Sequence, residues 1–255
     1  MTVPLRRPAT PDGLFLWVVH RFAEAFEEHA ILKGGIALRL FDCPRSTTDI
    51  DYVFVPFRSK KDIREKINEI LGEIEGAQIK VATHSKMLRA SVRVDSAAIE
   101  VEVNVATECP SMPVPTAGFA LAQGQPSRIV RVMELGCALA HKLAAWNERR
   151  LLRDLYDGYF LAGRLGEKPD LDVLERRLAK VESRLPRLKN RKQMSLAELA
   201  AELRAAADSL TESALDDELA PILPADELVS LAPRMRPVIV RIAELLEGAD
   251  VKLLL

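Results

Sequence analysis

Two carboxylates one residue apart, Asp49 and Asp51, stand in the string Ser46-Thr47-Thr48-Asp49-Ile50-Asp51-Tyr52-Val53-Phe54-Val55, shortly after Lys33-Gly34-Gly35. They open an apolar run that predicts a strand. Successive strand side chains point to opposite faces, so both acids share a face with Val53 and Val55, while Ile50, Tyr52 and Phe54 take the other. The acids are then roughly 6–7 Å apart along a rigid element. Oxygen ligands at that separation suit one or two hard divalent cations such as Mg2+, which keep several waters and take substrate phosphates as further ligands. An Asp-x-Asp alone is common at strand ends that face water. Its weight here comes from Gly34-Gly35. A glycine pair lets the backbone turn sharply and approach a ligand closely. Its N–H groups, opening a helix over Ile36–Leu40, make a seat for phosphate oxygens. The chemistry this predicts is phosphoryl or nucleotidyl transfer.

A third carboxylate is expected if metal ions are shared between nucleotide and acceptor. Residues 91–105 read as a hairpin turning at Asp95-Ser96-Ala97-Ala98, with strict alternation afterwards. Glu100, Glu102 and Asn104 share one face there, and Ile99, Val101, Val103 and Val105 the other. Glu102 is the first choice for the third acid and Glu100 the reserve; a solvated charged face is the plain alternative.

Further along, Leu139-Ala140-His141-Lys142-Leu143-Ala144-Ala145-Trp146-Asn147-Glu148-Arg149 leads to Arg153-Asp154-Leu155-Tyr156-Asp157. Read as one continuous helix over 130–163, the segment gives an apolar stripe of Val132, Leu135, Leu139, Leu143 and Trp146. Lys142 and Asp157 lie near that stripe, Arg149 and Arg153 beside Lys142, and Asp154 further round towards Leu143. Charges aimed at a core need partners. Either a Lys142–Asp157 or an Arg–Asp pair is purely structural, or Lys142 reaches the triphosphate of a nucleotide and Asp157 orients it, and the upstream Asp-x-Asp favours the second.

Lys33-Gly34-Gly35-Ile36-Ala37-Leu38 followed by Arg45-Ser46-Thr47-Thr48-Asp49-Ile50-Asp51 resembles the opening motif of polymerase-β-type nucleotidyltransferases, and within them the AbiEii/AbiGii abortive-infection toxins. The lysine helix and the Arg-Asp-x-Tyr-Asp pattern of residues 153–157 resemble the same group, so that the likeness covers residues 30–165. One departure is Ile36, where the family usually carries Ser or Thr. The resemblance implies an α+β fold: a polymerase-β-like core with a mixed sheet over 1–125, then a helical domain over 126–255 that contributes the lysine helix to the active site. It implies that Asp49, Asp51 and Glu102 hold Mg2+, that Gly34 and Gly35 with Arg39 or Arg45 seat the triphosphate, and that Lys142 neutralises the leaving pyrophosphate. Arg149, Arg153, Asp154 and Asp157 support that lysine, with Asp154 and Asp157 both open as the functional acid. The activity implied is a toxin's: nucleotides moved from a nucleoside triphosphate to the 3′ end of tRNA, blocking translation until an antitoxin encoded next door intervenes. The alternatives are a nucleotidyltransferase or kinase acting on a small molecule or a protein, and a nucleotide-binding homologue without turnover.

Composition bounds the rest. With 255 residues and 48% hydrophobic content, the chain supports one large domain or two smaller ones. No apolar run approaches the roughly 20 residues needed to span a bilayer, and the N-terminus lacks a leader pattern, so the expected location is the cytoplasm, with no membrane partner. Cys43, Cys109 and Cys137 are an odd set without metal-site spacing, which argues against a disulfide framework or a zinc centre. His20, His29, His84 and His141 are scattered; only His141, beside Lys142, is a candidate for the nucleotide pocket.

A net charge of −1 gives no global pull on nucleic acid. Locally, Arg176, Arg177, Lys180, Arg184, Arg187, Lys189, Arg191 and Lys192 cluster, and Arg89 and Arg93 lie on the hairpin; either group is a candidate to track an RNA backbone. The elements that must position these groups are an N-terminal helix over Gly13–His29 and a helix over Lys60–Glu75. Strands are expected near 78–82, 88–94 and 99–105. From Ile129 onward nearly everything is expected to be helical, broken at Pro169, Pro186, Pro221, Pro224, Pro233 and Pro237.

Overall fold

The structure, a computed structural model, describes residues 8–85, 87–183, 185 and 192–253. The chain divides into two compact units, Met1–Glu134 and Leu135–Leu255.

In the first unit, alternating burial builds one mixed sheet. Its strands are β1 (Ala30–Lys33), β2 (Asp49–Phe54), β3 (Gln78–Thr83), β4 (Leu88–Val94), β5 (Ala97–Val105), β6 (Ser111–Pro115) and β7 (Ile129–Met133), in the spatial order β3-β4-β5-β2-β1-β7-β6. The pairs β2–β5 and β1–β7 are parallel and the others antiparallel. Helix α1 (Pro11–Phe26) starts on the Thr10 side chain, which accepts from the Gly13 N–H at 3.0 Å, and lays Leu14, Phe15, Val18, Phe22 and Phe26 into the core with Ile50, Tyr52, Phe54, Val101 and Val103. Phe26 and Phe54 meet edge to face at 4.6 Å between ring centres. Helix α2 (Gly34–Arg39) follows β1 directly, α3 (Lys61–Gly72) packs its isoleucines into the same core, and α4 (Ala117–Ala122) links β6 to β7.

The second unit is helical: α5 (Leu135–Arg149), α6 (Leu152–Tyr159) continued by a π-helical turn to Arg164, α7 (Leu171–Leu178), α8 (Leu196–Ser209), α9 (Glu212–Leu219), α10 (Ala225–Leu228) and α11 (Leu231–Leu253). Helices α8 and α11 pack together, burying Leu199, Leu203, Met235, Ile239, Ile242 and Leu246.

Three local expectations are corrected. Residues 129–133 are strand β7 rather than helix, because they close on β1 and β6 in the sheet. The continuous helix over 130–163 is replaced by β7, α5 and α6, with Arg150 at φ 58° reversing the chain between the two helices. Pro233 and Pro237 lie inside α11 instead of ending it. The first turn needs no donated N–H, and the apolar face packed on α8 outweighs what the second proline forfeits.

Candidate active site

The first cluster forms where β1, α2 and β2 meet. Asp49 and Asp51 are half-buried on one face of β2, and Ile50, Tyr52 and Phe54 are sealed on the other. The parallel register sets Asp49 beside Glu100 and Asp51 beside Glu102, so hard oxygen donors gather on two neighbouring strands. Asp51 and Glu102 are each met by a cation. Lys33 Nζ lies 3.3 Å from Asp51 Oδ1, and Arg89 of β4 donates to Glu102. Glu102 above all, then Glu100 and Asp49, raise the Arg89 pKa.

The glycine pair has a reason within the protein. Gly34 sits at φ 73°, and a Cβ there would stand 2.1 Å from Asp51 Oδ2. At Gly35 it would stand 2.7 Å from Arg45 Nη2 and 3.0 Å from Thr47 Cβ. Glycine therefore admits Asp51, Arg45 and Thr47 against the turn. Arg45 is buried and donates to the Ser46 carbonyl at 3.1 Å. Thr48 Oγ1 donates to Asp49 Oδ1 at 3.3 Å. Arg39 is engaged elsewhere, in a two-pronged pair with Asp12 at 2.6 and 2.8 Å and over the Phe119 ring at 4.7 Å. Ile36 is fully buried in the core, so the position where the family pattern carries a hydroxyl faces apolar packing here.

Among the described residues, no three His, Cys, Asp or Glu side chains close on a common metal position. A magnesium ion does not require three. It typically takes one or two protein carboxylates, with waters and phosphates completing its octahedron. Asp49 and Asp51 supply oxygen donors of that kind, and the space a Cβ would fill at Gly34 is given to the Asp51 carboxylate, so the residues present fit a hard divalent cation.

The second cluster lies within the helical unit. Because the chain reverses at Arg150, α6 turns its acids back onto α5. Lys142 Nζ is 2.6 Å from Asp157 Oδ2 and 3.8 Å from Asp154 Oδ1. Both aspartates are buried. Arg149 grips Asp154 through Nε at 3.1 Å and Nη2 at 2.7 Å. Asp154 therefore joins Lys142, contrary to its position on the uninterrupted helix. Arg153 is exposed, and its backbone N–H donates to Glu218 at 3.0 Å. His141 Nδ1 lies 3.0 Å from Arg177, which also pairs with Glu148 at 3.0 Å. Of the basic run, Arg184, Arg187, Lys189 and Arg191 lie outside the described residues. Lys33 had no assigned role on sequence grounds; its place at the end of a strand next to Gly34-Gly35 was the available signal.

The family described as "Nucleotidyl transferase AbiEii toxin, Type IV TA system" matches residues 18–230. Comparison with curated proteins gives no match. Among solved structures, the chain is similar to the nucleotidyltransferase toxin MenT4 of Mycobacterium tuberculosis, with a TM-score of 0.61 and 18% identity over 89% of this chain and 81% of that one. It is also similar to JHP933 of Helicobacter pylori, with a TM-score of 0.53 and 16% identity over 95% of this chain and 94% of the other. These likenesses concern the fold. The family match spans most of the sequence and includes both clusters, and the chain belongs to the AbiEii nucleotidyltransferase toxin family of type IV toxin–antitoxin systems, with a nucleoside triphosphate as donor and a cognate antitoxin as counterpart.

Proposed function

We propose that this nucleotidyltransferase transfers nucleotides to the 3′ end of tRNA and so blocks translation in the cytoplasm, until an antitoxin encoded by the neighbouring gene relieves it. The observation that carries the reading is the acidic face beside the glycine turn: Asp49 and Asp51 on β2, with Glu102 in register on β5. In the reaction the acceptor's 3′-hydroxyl oxygen forms a bond to the α-phosphorus, the bond from that phosphorus to pyrophosphate breaks, and the hydroxyl proton passes to a carboxylate. Glu102 is the acid we assign as proton acceptor or metal ligand. Asp49 and Asp51 would hold Mg2+, which when bound offsets the charge of the triphosphate. Gly34, Gly35 and Arg45 seat phosphate oxygens, and Lys142 gives positive charge to the leaving pyrophosphate, held by Asp157 and Asp154 with Arg149. Arg39, gripped by Asp12, is the weakest of the proposed phosphate contacts, and Arg153 acts at most from the periphery.

The test is incubation with tRNA, Mg2+ and each labelled nucleoside triphosphate in turn. Label should enter RNA with the wild type, and Asp51→Ala should lower the rate by about a hundred- to a thousandfold, as expected when a group that organises transition-state charge is lost. Absence of label in RNA with every nucleotide would overturn the reading. Label in a protein or small molecule would transfer it to that acceptor class.

A further inference from the structure

The face that carries Asp49, Asp51 and Glu102 continues outward across β4 and β3, and the register dictates what it presents. Glu102 opposes Arg89, Glu100 opposes Ser91, and Ala98 opposes Arg93. One strand further out, Arg89 opposes Ala82, Ser91 opposes Lys80, and Arg93 opposes Gln78. Directly opposed residues project from the same side of a sheet. Lys80, Arg89 and Arg93 therefore stand on the acid-bearing face, while Leu88, Ala90, Val92 and Val94 fill the core behind them.

The charges on this face are segregated by strand. Acids occupy β2 and β5, and cations occupy β4 and the outermost strand, β3. A face that only had to stay wet would gain more from mixing the signs, since like charges on neighbouring strands repel. Lys80 and Arg93 are exposed, and among the described residues neither meets a carboxylate at ion-pair distance. Arg89 pairs with Glu102, yet its side chain is 49% exposed, and a guanidinium has donors to spare beyond one carboxylate. Arg89 and Arg93 lie roughly 13 Å apart along β4, with Lys80 between them on the adjacent strand. Two strand spacings, roughly 10 Å, separate β4 from β2, and Lys80 on β3 lies one spacing further out. A polyanion is repelled by the four acids unless cations hold its phosphates, and that spacing gives a terminal nucleotide room to lie across β5, from Arg89 and Arg93 on β4 towards Asp49 and Asp51 on β2.

We propose that Lys80, Arg89 and Arg93 bind the phosphodiester backbone of the single-stranded 3′ end of an RNA acceptor, with Arg89 bridging Glu102 and the nearest phosphate. The proposal rests on the RNA-acceptor reading above and adds the surface that holds the acceptor. Binding of a fluorescein-labelled single-stranded RNA of about ten nucleotides, followed by anisotropy across a series of KCl concentrations, tests it. Three phosphate contacts contribute about 2 to the slope of log K against log salt. The variant Lys80→Gln/Arg89→Gln/Arg93→Gln should lose about that much slope. Lys80→Gln/Arg93→Gln, which leaves the Arg89–Glu102 pair intact, should lose about 1.4. Unchanged slopes in both folded variants overturn the strip, whatever the wild type does with labelled nucleotides. A wild type that binds RNA with the steeper slope but labels none of it supports the strip and sinks the transfer reading.

Discussion

Lys142 and Asp157 show what an ion pair does at two levels. The ammonium is 18% exposed and the carboxylate fully buried, 2.6 Å apart, with Asp154 a second carboxylate at 3.8 Å. Removing one member of such a pair leaves the other charge desolvated, which costs about 3 kcal/mol, whereas removing both is often nearly neutral. Asp157→Asn should therefore lower stability by about 3 kcal/mol in urea unfolding, and Lys142→Met/Asp157→Asn should recover most of that loss. A purely structural pair predicts that the double variant also recovers nucleotide transfer. The phosphate role assigned to Lys142 predicts a stable but inactive protein, so unfolding and transfer measured on the same sample separate the two. Gly34 carries a comparable double burden: its φ of 73° suits the turn, and its bare Cα leaves room for Asp51. From sequence the glycine pair is legible as a turn, but that it makes way for the protein's own carboxylate depends on β1–β2 pairing between residues eighteen apart, Lys33 and Asp51.

Elements with a strong local period were legible and those defined by distant partners were not. Strand β5 alternates Ile99, Val101 and Val103 inward with Glu100 and Glu102 outward, and the structure keeps that division. Strand β7 has the same alternation in Ile129-Val130-Arg131-Val132-Met133, yet it is five residues long, abuts a true helix, and gains its sheet partner, β1, from about a hundred residues upstream. Its stability comes from that pairing rather than from its own residues. The break at Arg150 was hidden for a similar reason. A positive φ at a non-glycine residue is paid for by tertiary contacts, here the Arg150 guanidinium over Trp146 at 4.3 Å and against Glu202 at 3.0 Å. Helix α8 is the opposite case, because its start is written locally: Ser195 Oγ accepts from the Glu198 N–H at 3.1 Å, and the Glu198 carboxylate accepts from the Ser195 N–H at 2.8 Å. Ser195→Ala should cost about 1 kcal/mol in urea unfolding while nucleotide transfer at a temperature well below the transition stays unchanged. A larger loss would mean that Ser195 has contacts beyond the cap.

At the scale of the whole molecule, a net charge of −1 hides a sorted distribution, so the response to pH depends on individual sites rather than on the total. His20 is the clearest. It is buried on α1, its Nε2 lies 2.9 Å from Thr116 Oγ1, and burial above all, with Arg128 adding repulsion, lowers its pKa from 6.5 to about 4. Arg128 is itself paired with Glu24. The folded state thus holds His20 neutral between pH 6.5 and about 4, while the unfolded chain takes up a proton over that range. More protons on the unfolded side mean that stability is complete above pH 6.5 and declines as the pH falls towards 4, by about 2 kcal/mol at pH 5 from this residue. The two tryptophans, Trp17 and Trp146, fall one in each unit, so Trp146→Phe leaves Trp17 as the reporter for the sheet. In that background, urea unfolding at pH 7 and pH 5 should show the loss, and His20→Gln, which keeps a polar group towards Thr116, should reduce the difference by about 2 kcal/mol. An equal pH dependence with and without His20 would mean that the buried ring is charged in the folded protein, and that the carboxylates of the sheet, not this histidine, set its acid limit.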